Sequence, residues 1–211
     1  MLPSLRCSLK TVYLKKEHQR STINEASLGR VLGILIAKFR QHSGKIWLKA
    51  STILRNLAKF GKKWQTIGYD VNSQRIKALQ SSNDNTLEVS SDDFLESRNL
   101  KFTDDLNCIK ECNIYIVSVP TPIDHKCEPD LSLIKEATSS LSSILDIGDI
   151  VVYESTVYPG VTEDICVPIL EEFSALEFNK DFYCGYSPER INPGDKFHTV
   201  DKILKVTSGS T

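Results

Sequence analysis

Four short polar clusters in this sequence each follow an apolar run, and each holds side chains that can do chemistry. The run "WQTIGYD" (64–70) closes on Asp70, with Asn72 and Arg75 just beyond it in "GYDVNSQRI". A carboxylate at the tip of a second parallel strand can accept from both hydroxyls of a ribose, and its charge repels a 2′-phosphate, which favours NAD over NADP. The same residue also reads as a cap for the following helix. In "VPTP" (119–122), two prolines stiffen a loop and leave the Thr121 hydroxyl and nearby backbone to meet a ligand. Its plainer reading is a tight strand-to-helix turn. "ESTVYPG" (154–160) sets the Ser155 and Thr156 hydroxyls at another strand tip, where they can hold a pyrophosphate, a nicotinamide or a water, or simply end a strand. "SPERINPGD" (187–195) concentrates charge in a stiff loop. There Glu189 can act as general acid or base, Arg190 can pair with a phosphate and Asn192 can bind a sugar hydroxyl. The alternative is a Glu189–Arg190 surface pair.

These clusters need elements that line them up, and the chain from residue 64 onward supplies a regular series. Strand candidates at 64–70, 100–103, 113–120, 149–156, 181–186 and 202–209 alternate with helical patterns. The helical stretches are "SQRIKALQS", a segment capped by Ser90 or Ser91, "DDLNCIKEC", "PDLSLIKEATSSLSSILDIG" and "TEDICVPILEEF", the last with a kink predicted at Pro168. "NIYIVSVP" is apolar almost throughout, as a strand buried on both faces of a parallel sheet must be. The βα rhythm predicts an α/β fold, a Rossmann-like doubly wound parallel sheet, with its ligand beyond the carboxyl ends of the strands.

The first βα unit breaks the pattern. "KIWLKASTILRNLAKFGKKWQTIGYD" (45–70) can supply strand, turn, helix and strand, but no glycine lies between Lys45 and Phe60. A G-x-G-x-x-G turn uses its glycines for the tight bend, for backbone N–H approach to a pyrophosphate and for helix packing, so side chains from Ala50 through Arg55 intrude on that space. The sheet is therefore expected to be incomplete at its first βα unit. Residues 1–44 show amphipathic scraps without a strand pattern and read as a basic extension, and 45–211 as the dinucleotide-binding domain. The chain stops at Thr211 without a helix after its last strand, the pattern of a truncation with C-terminal domains missing.

Composition bounds the class. Of the 211 residues, 40% are hydrophobic and 25% charged, which suits a soluble globular chain. The net charge of −1 conceals a split: residues 1–63 carry +12 and the remainder −13. No apolar run reaches the roughly 20 residues that span a bilayer, and "VLGILIA" (31–37) is short and flanked by Arg and Lys. The N-terminus lacks a signal-peptide pattern. Six cysteines without a C-x-x-C or a His at ligand spacing read as reduced thiols in a cytoplasmic protein, with no metal site. Cys108 and Cys112 can share a helix face, as small buried hydrophobes.

Taken in order, "GYDVNSQRI", "VPTPID", "PDLS", "VVYESTVYPGVTED", "GYSPERINPGD" and "TSGST" resemble the nucleotide-sugar 6-dehydrogenases, the UDP-glucose and GDP-mannose dehydrogenase family. They are most similar to the branch that oxidises UDP-N-acetylhexosamines for capsule, O-antigen and Vi-type polysaccharides. The resemblance runs from about Leu57 to Thr211. It implies an N-terminal domain that binds NAD, a central helix, a C-terminal sugar-nucleotide domain, and a homodimer in the intact protein. It implies two successive hydride transfers from the C6 alcohol of a UDP-sugar to two NAD, through a thiohemiacetal and a thioester on a cysteine. By motif, Asp70 and Arg75 hold the adenosine ribose, Val119 and Thr121 line the cofactor cleft, and Ser155 and Thr156 approach the nicotinamide, Thr156 also placing the catalytic water. Glu189 assists thioester hydrolysis, and Glu189, Arg190 and Asn192 face the nucleotide sugar.

Two departures stand out. The family opening K-I-x-I-I-G-L-G-Y-V-G-L-P-L-A-x-F-G is matched only at its end, by Leu57, Ala58, Phe60 and Gly61. The family's nucleophilic cysteine belongs to its C-terminal part, and none of the six here sits in its motif. The chain alone is therefore expected to be inactive. Two other readings concern the N-terminus: a basic arm for nucleic acid or an acidic partner, supported by charge alone, or a shifted reading frame that joins the family frame near Leu57.

Overall fold

The computed structural model describes residues 11–12, 31–36, 54, 57–58, 60–62, 64–84, 89–123, 125, 127–188 and 207–210. Its apolar runs assemble into one eight-stranded sheet. The strands are β1 (Thr11–Val12), β2 (Val31–Ile36), β3 (Thr66–Asp70), β4 (Leu100–Thr103), β5 (Cys112–Val117), β6 (Ile150–Tyr153), β7 (Tyr183–Tyr186) and β8 (Thr207–Gly209). Among the described residues, four α-helices have full bounds: α1 (Ser73–Gln80), α2 (Ser91–Glu96), α3 (Ser132–Ser142) and α4 (Val167–Ser174).

The order across the sheet is β1-β8-β7-β6-β5-β2-β3-β4. From β2 the chain moves outward through β3 and β4, then returns to the other side of β2 and moves outward again through β5, β6 and β7. All these pairs are parallel. The direction of winding reverses between β2 and β5, and a crevice opens at the carboxyl ends of the strands where it does so.

Three sequence expectations change here. The segment read as lacking a strand pattern contributes β2, N-terminal to the boundary drawn at 44/45. "VLGILI" is apolar throughout and shows no alternation because its place is the centre of the sheet, between β3 and β5, with Ile36 in register with Asp70. The next described residue, Leu54, is helical, and residues 37–53, including "KIWL", lie outside the described residues. The last strand, β8, runs antiparallel to β7 instead of extending the parallel set, and β1 pairs antiparallel with β8. Finally, "DDLNCIKEC" forms a single 3-10 turn, Leu106–Ile109, because Asp105 caps it through the Asn107 amide and Cys112 already enters β5. Cys112 is buried there, but Cys108 is exposed, so the two do not share a buried face.

Pro168 lies at the junction of two helical pieces: a π-helical turn, Val161–Cys166, runs directly into α4, and the proline is the second residue of α4. The turn starts at Gly160 with φ of 97°, and a Cβ there would stand 2.6 Å from an Asp164 carboxylate oxygen.

Tyr115, Tyr153 and Phe182 are fully buried in the larger core, between the sheet and the layer of α3, the π turn and α4. A smaller cluster of Leu54, Leu57, Ala58, Leu79 and Val89 supports β3 and β4. It closes tightly on the β4 side: a Cβ at Gly61 would lie 2.7 Å from the Leu100 Cβ.

Candidate functional site

The crevice has two flanks. On the first, Asp70 ends β3 and is 1% exposed. Its Oδ1 accepts from the Asn72 amide at 2.9 Å, while Oδ2 has no hydrogen-bond partner among the described residues. The residue that caps α1 is Asn72, whose side chain accepts from the Gln74 and Arg75 amides at 3.1 Å each. This resolves the choice posed by the sequence: Asp70 is left over from capping. Arg75, in the first turn of α1, brings Nε to 3.9 Å from Asp70 Oδ2, too far for a good hydrogen bond, and its Nη2 is buried without a partner.

Burial raises the Asp70 pKa above its ordinary value, and the Asn72 N–H and the Arg75 charge draw it partly back. A buried carboxylate oxygen and a buried guanidinium nitrogen left unpaired are costly, and neighbouring unpaired groups of this kind suit a ligand that both donates and accepts. Vicinal ribose hydroxyls are such a ligand. A phosphate at the ribose 2′ position would set its charge against the buried carboxylate.

The second flank joins the tips of β5 and β6. Their ladder ends at Val117 and Tyr153, with a last backbone bond from the Glu154 amide to the Val117 carbonyl at 2.8 Å. Beyond it, the Ser155 hydroxyl accepts from the Val119 amide at 2.9 Å and donates to the Val119 carbonyl at 2.8 Å. The Thr121 hydroxyl donates to the Thr156 carbonyl. Thr156 itself is exposed, whereas Ser155 is buried. Behind this flank the Tyr153 hydroxyl lies 3.0 Å from Thr138 Oγ1, tying β6 to α3.

The structure therefore brings Val119, Thr121, Ser155 and Thr156 together across one loop pair, and sets Asp70 and Arg75 on the other side of β2. The Ser187 amide donates to the Tyr153 carbonyl at 2.9 Å, so the next loop leaves β7 beside β6. Glu189, Arg190 and Asn192 lie outside the described residues. The capping role of Asn72 was legible in its spacing before "SQRI"; nothing in "EST" distinguishes a serine that binds backbone from one that faces a ligand.

The buried thiols are not poised as nucleophiles. Burial pushes Cys112 up to about 12 and raises Cys166 and Cys184 as well, whereas an attacking cysteine needs its thiolate. No helix among the described residues is long and apolar enough to cross a membrane.

The sequence model for the UDP-glucose/GDP-mannose dehydrogenase family, NAD binding domain, matches residues 51–211. The chain belongs to this family. Within the family it is 55% identical over 153 residues to UDP-N-acetyl-D-glucosamine 6-dehydrogenase of Pseudomonas aeruginosa, and 54% identical over 153 residues to the Salmonella typhi protein of the same name. Each match covers 72% of this chain and 36% of the relative, so the chain spans little more than a third of the curated relatives it matches. Among solved family structures, UDP-D-ManNAc dehydrogenase of Pyrococcus horikoshii superposes with a TM-score of 0.62 at 28% identity, over 81% of this chain and 38% of that one. The GDP-mannose dehydrogenase of Pseudomonas aeruginosa shares the fold, with a TM-score of 0.64 at 20% identity, over 80% of this chain and 38% of that one. The Rossmann-like α/β sheet and the NAD-binding assignment thus belong to the family and to this chain together.

Proposed function

We propose that this chain is the NAD-binding part of a UDP-N-acetylhexosamine 6-dehydrogenase, taking the adenosine ribose between Asp70 and Arg75, and that by itself it binds cofactor without completing the oxidation. The observation that carries the reading is a pair of buried atoms at the tip of β3, Asp70 Oδ2 and Arg75 Nη2, with no hydrogen-bond partner among the described residues. When bound, NAD supplies the acceptor for hydride from the sugar C6 carbinol. The chain's own residues bind and orient: Asp70 takes ribose hydroxyls, Arg75 keeps the carboxylate ionised, and Val119, Thr121, Ser155 and Thr156 border the nicotinamide end. Exposed Thr156 is suited to hold a water, and Glu189, Arg190 and Asn192 are assigned to the nucleotide sugar on motif alone.

The domain as proposed comprises 45–211 together with the strand Val31–Ile36, which fills the centre of its sheet. UDP-N-acetylglucosamine is the favoured sugar because the two relatives above 50% identity carry that substrate in their names. The cysteines support the proposed inactivity: none lies in the family's nucleophile motif, and burial raises Cys112, Cys166 and Cys184.

Calorimetric titration of the purified chain tests the reading. NAD is expected to bind, and NADP at least about tenfold more weakly, the effect of roughly one charge-assisted interaction changing sign. Equal affinity for the two, or no NAD binding, sinks the ribose assignment. NADH formation at an enzyme-like rate with UDP-N-acetylglucosamine sinks the claim of inactivity.

A further inference from the structure

We propose that Ser155 is a positioning residue and not a ligand of the cofactor: its hydroxyl holds both backbone groups of Val119 and so fixes the Val119–Pro120–Thr121 turn on the edge of the crevice. The role in the crevice rests on the NAD-binding reading above; the hold on Val119 stands on its own geometry.

A serine hydroxyl has one proton to donate and two lone pairs to accept with. Here the proton goes to the Val119 carbonyl at 2.8 Å and one lone pair receives the Val119 N–H at 2.9 Å, in a side chain that is 4% exposed. No donor remains for a phosphate or a carboxamide oxygen.

The arrangement answers a local shortage. Parallel β5 and β6 part company after Val117 and Tyr153, and Pro120 brings no N–H with which to resume the ladder. Val119, only 4% exposed, would then bury an amide and a carbonyl without partners. Ser155 supplies to both what a neighbouring strand residue would have supplied. One step further, the Thr121 hydroxyl does the same for the Thr156 carbonyl from the opposite side. Two hydroxyls thus continue the pairing of β5 and β6 beyond the last backbone rung, and the two tip loops are fastened to one another. Thr156 is held in place by its own main chain while its side chain stays at the surface.

The test uses the full 211-residue chain, with residue-resolved amide exchange by NMR and NAD titration on the same samples. In the wild type the Val119 amide is expected to be protected, and the Ser155 hydroxyl proton to be slow enough to show a cross-peak to it. Ser155→Ala is expected to speed Val119 exchange and to weaken NAD binding, each about tenfold, and to lower the melting temperature by a few degrees. Ser155→Thr keeps the hydroxyl and is expected to restore both to within about twofold. Unchanged Val119 exchange in Ser155→Ala overturns the proposal, and if NAD affinity falls all the same, Ser155 is a direct ligand. Faster exchange with NAD affinity unchanged overturns the role in the crevice. A Ser155 hydroxyl proton in fast exchange overturns it without any variant, which covers a threonine that fails to fold. Wild-type protein that binds no NAD defeats the cofactor reading alone and leaves the hold on Val119 to be decided by exchange.

Discussion

On the β3 flank of the crevice, a buried carboxylate oxygen and a buried guanidinium nitrogen have no hydrogen-bond partner among the described residues, whereas on the β5–β6 flank the Ser155 and Thr121 hydroxyls are engaged by backbone. Both flanks draw on both clusters: the large one around Tyr115, Tyr153 and Phe182 takes in Tyr69 of β3, and Ile116 of β5 packs against the smaller one. Unpaired polar atoms are tolerable where a ligand will pair them, and close-knit ones where shape must be kept. The difference supports the proposal that one flank binds and the other keeps geometry.

The smaller cluster, which packs against β3 and β4, gives the largest expected effect. Leu57 is fully buried in it, so Leu57→Ala is expected to cost about 2–5 kcal/mol in chemical denaturation. Hydrogen exchange should show the β3–β4 side opening first. Uniform loss across the sheet would mean that the flanks share one core.

Asp70→Ala comes next and separates binding from stability. Two charge-assisted hydrogen bonds to ribose would be lost, so NAD affinity is expected to fall by about 2–3 kcal/mol, roughly 30- to 150-fold. Stability should hold or rise, because the variant removes a buried charge with an unpaired oxygen. A variant that keeps its NAD affinity removes the binding role from this flank.

Tyr153→Phe probes the other side. Its hydroxyl meets Thr138 Oγ1, which also donates to the Ile134 carbonyl at 2.7 Å, so Thr138 keeps a partner when the phenol is gone. The expected cost is about 1 kcal/mol of stability, read from the denaturation midpoint, with NAD affinity unchanged. An equal loss of affinity would show that the geometry of β6 reaches the ligand more directly than its hydrogen bonds suggest.

Much of this division was legible in the residues. Apolar runs ending in polar clusters located β3 through β7, because a strand buried on both faces carries a continuous pattern that a loop cannot mimic. Asp70 stood out as an acid at a strand tip, where it read equally as a helix cap, and the role of Arg75 came from the family resemblance alone. The same logic failed at "VLGILI", where an apolar run of six was read only as too short for a membrane, though the centre of a parallel sheet asks for just such a run. "KILKVTSG" gave a strand but not its direction, since residue pattern carries no information on parallel or antiparallel pairing at an edge. Ser155 was placed at the right tip, but its bonds to Val119 were not legible, because which partner a hydroxyl finds depends on where the neighbouring loop ends its ladder.

The smallest expected effect comes from the proton on Asp70, and it has opposite signs for stability and binding. Burial holds the Asp70 pKa above its ordinary 3.8 despite the Asn72 N–H and Arg75. The folded chain keeps this proton to higher pH than the unfolded chain does. Its contribution to stability is therefore fully present below the unfolded value and is lost as pH rises through the folded one. NAD needs the ionised carboxylate to accept its ribose hydroxyls, so affinity is full above the folded value and falls on acidification. Melting temperature and NAD titration are to be compared for the wild type and Asp70→Asn between about pH 4 and pH 7, the range over which a raised carboxylate titrates. The wild type should lose stability relative to the asparagine variant, and gain affinity relative to it, over the same pH interval. Curves that run in the same direction would place the titrating group elsewhere. A flat difference would mean that Asp70 is solvated in the free protein, and that its second oxygen is not waiting for a ligand.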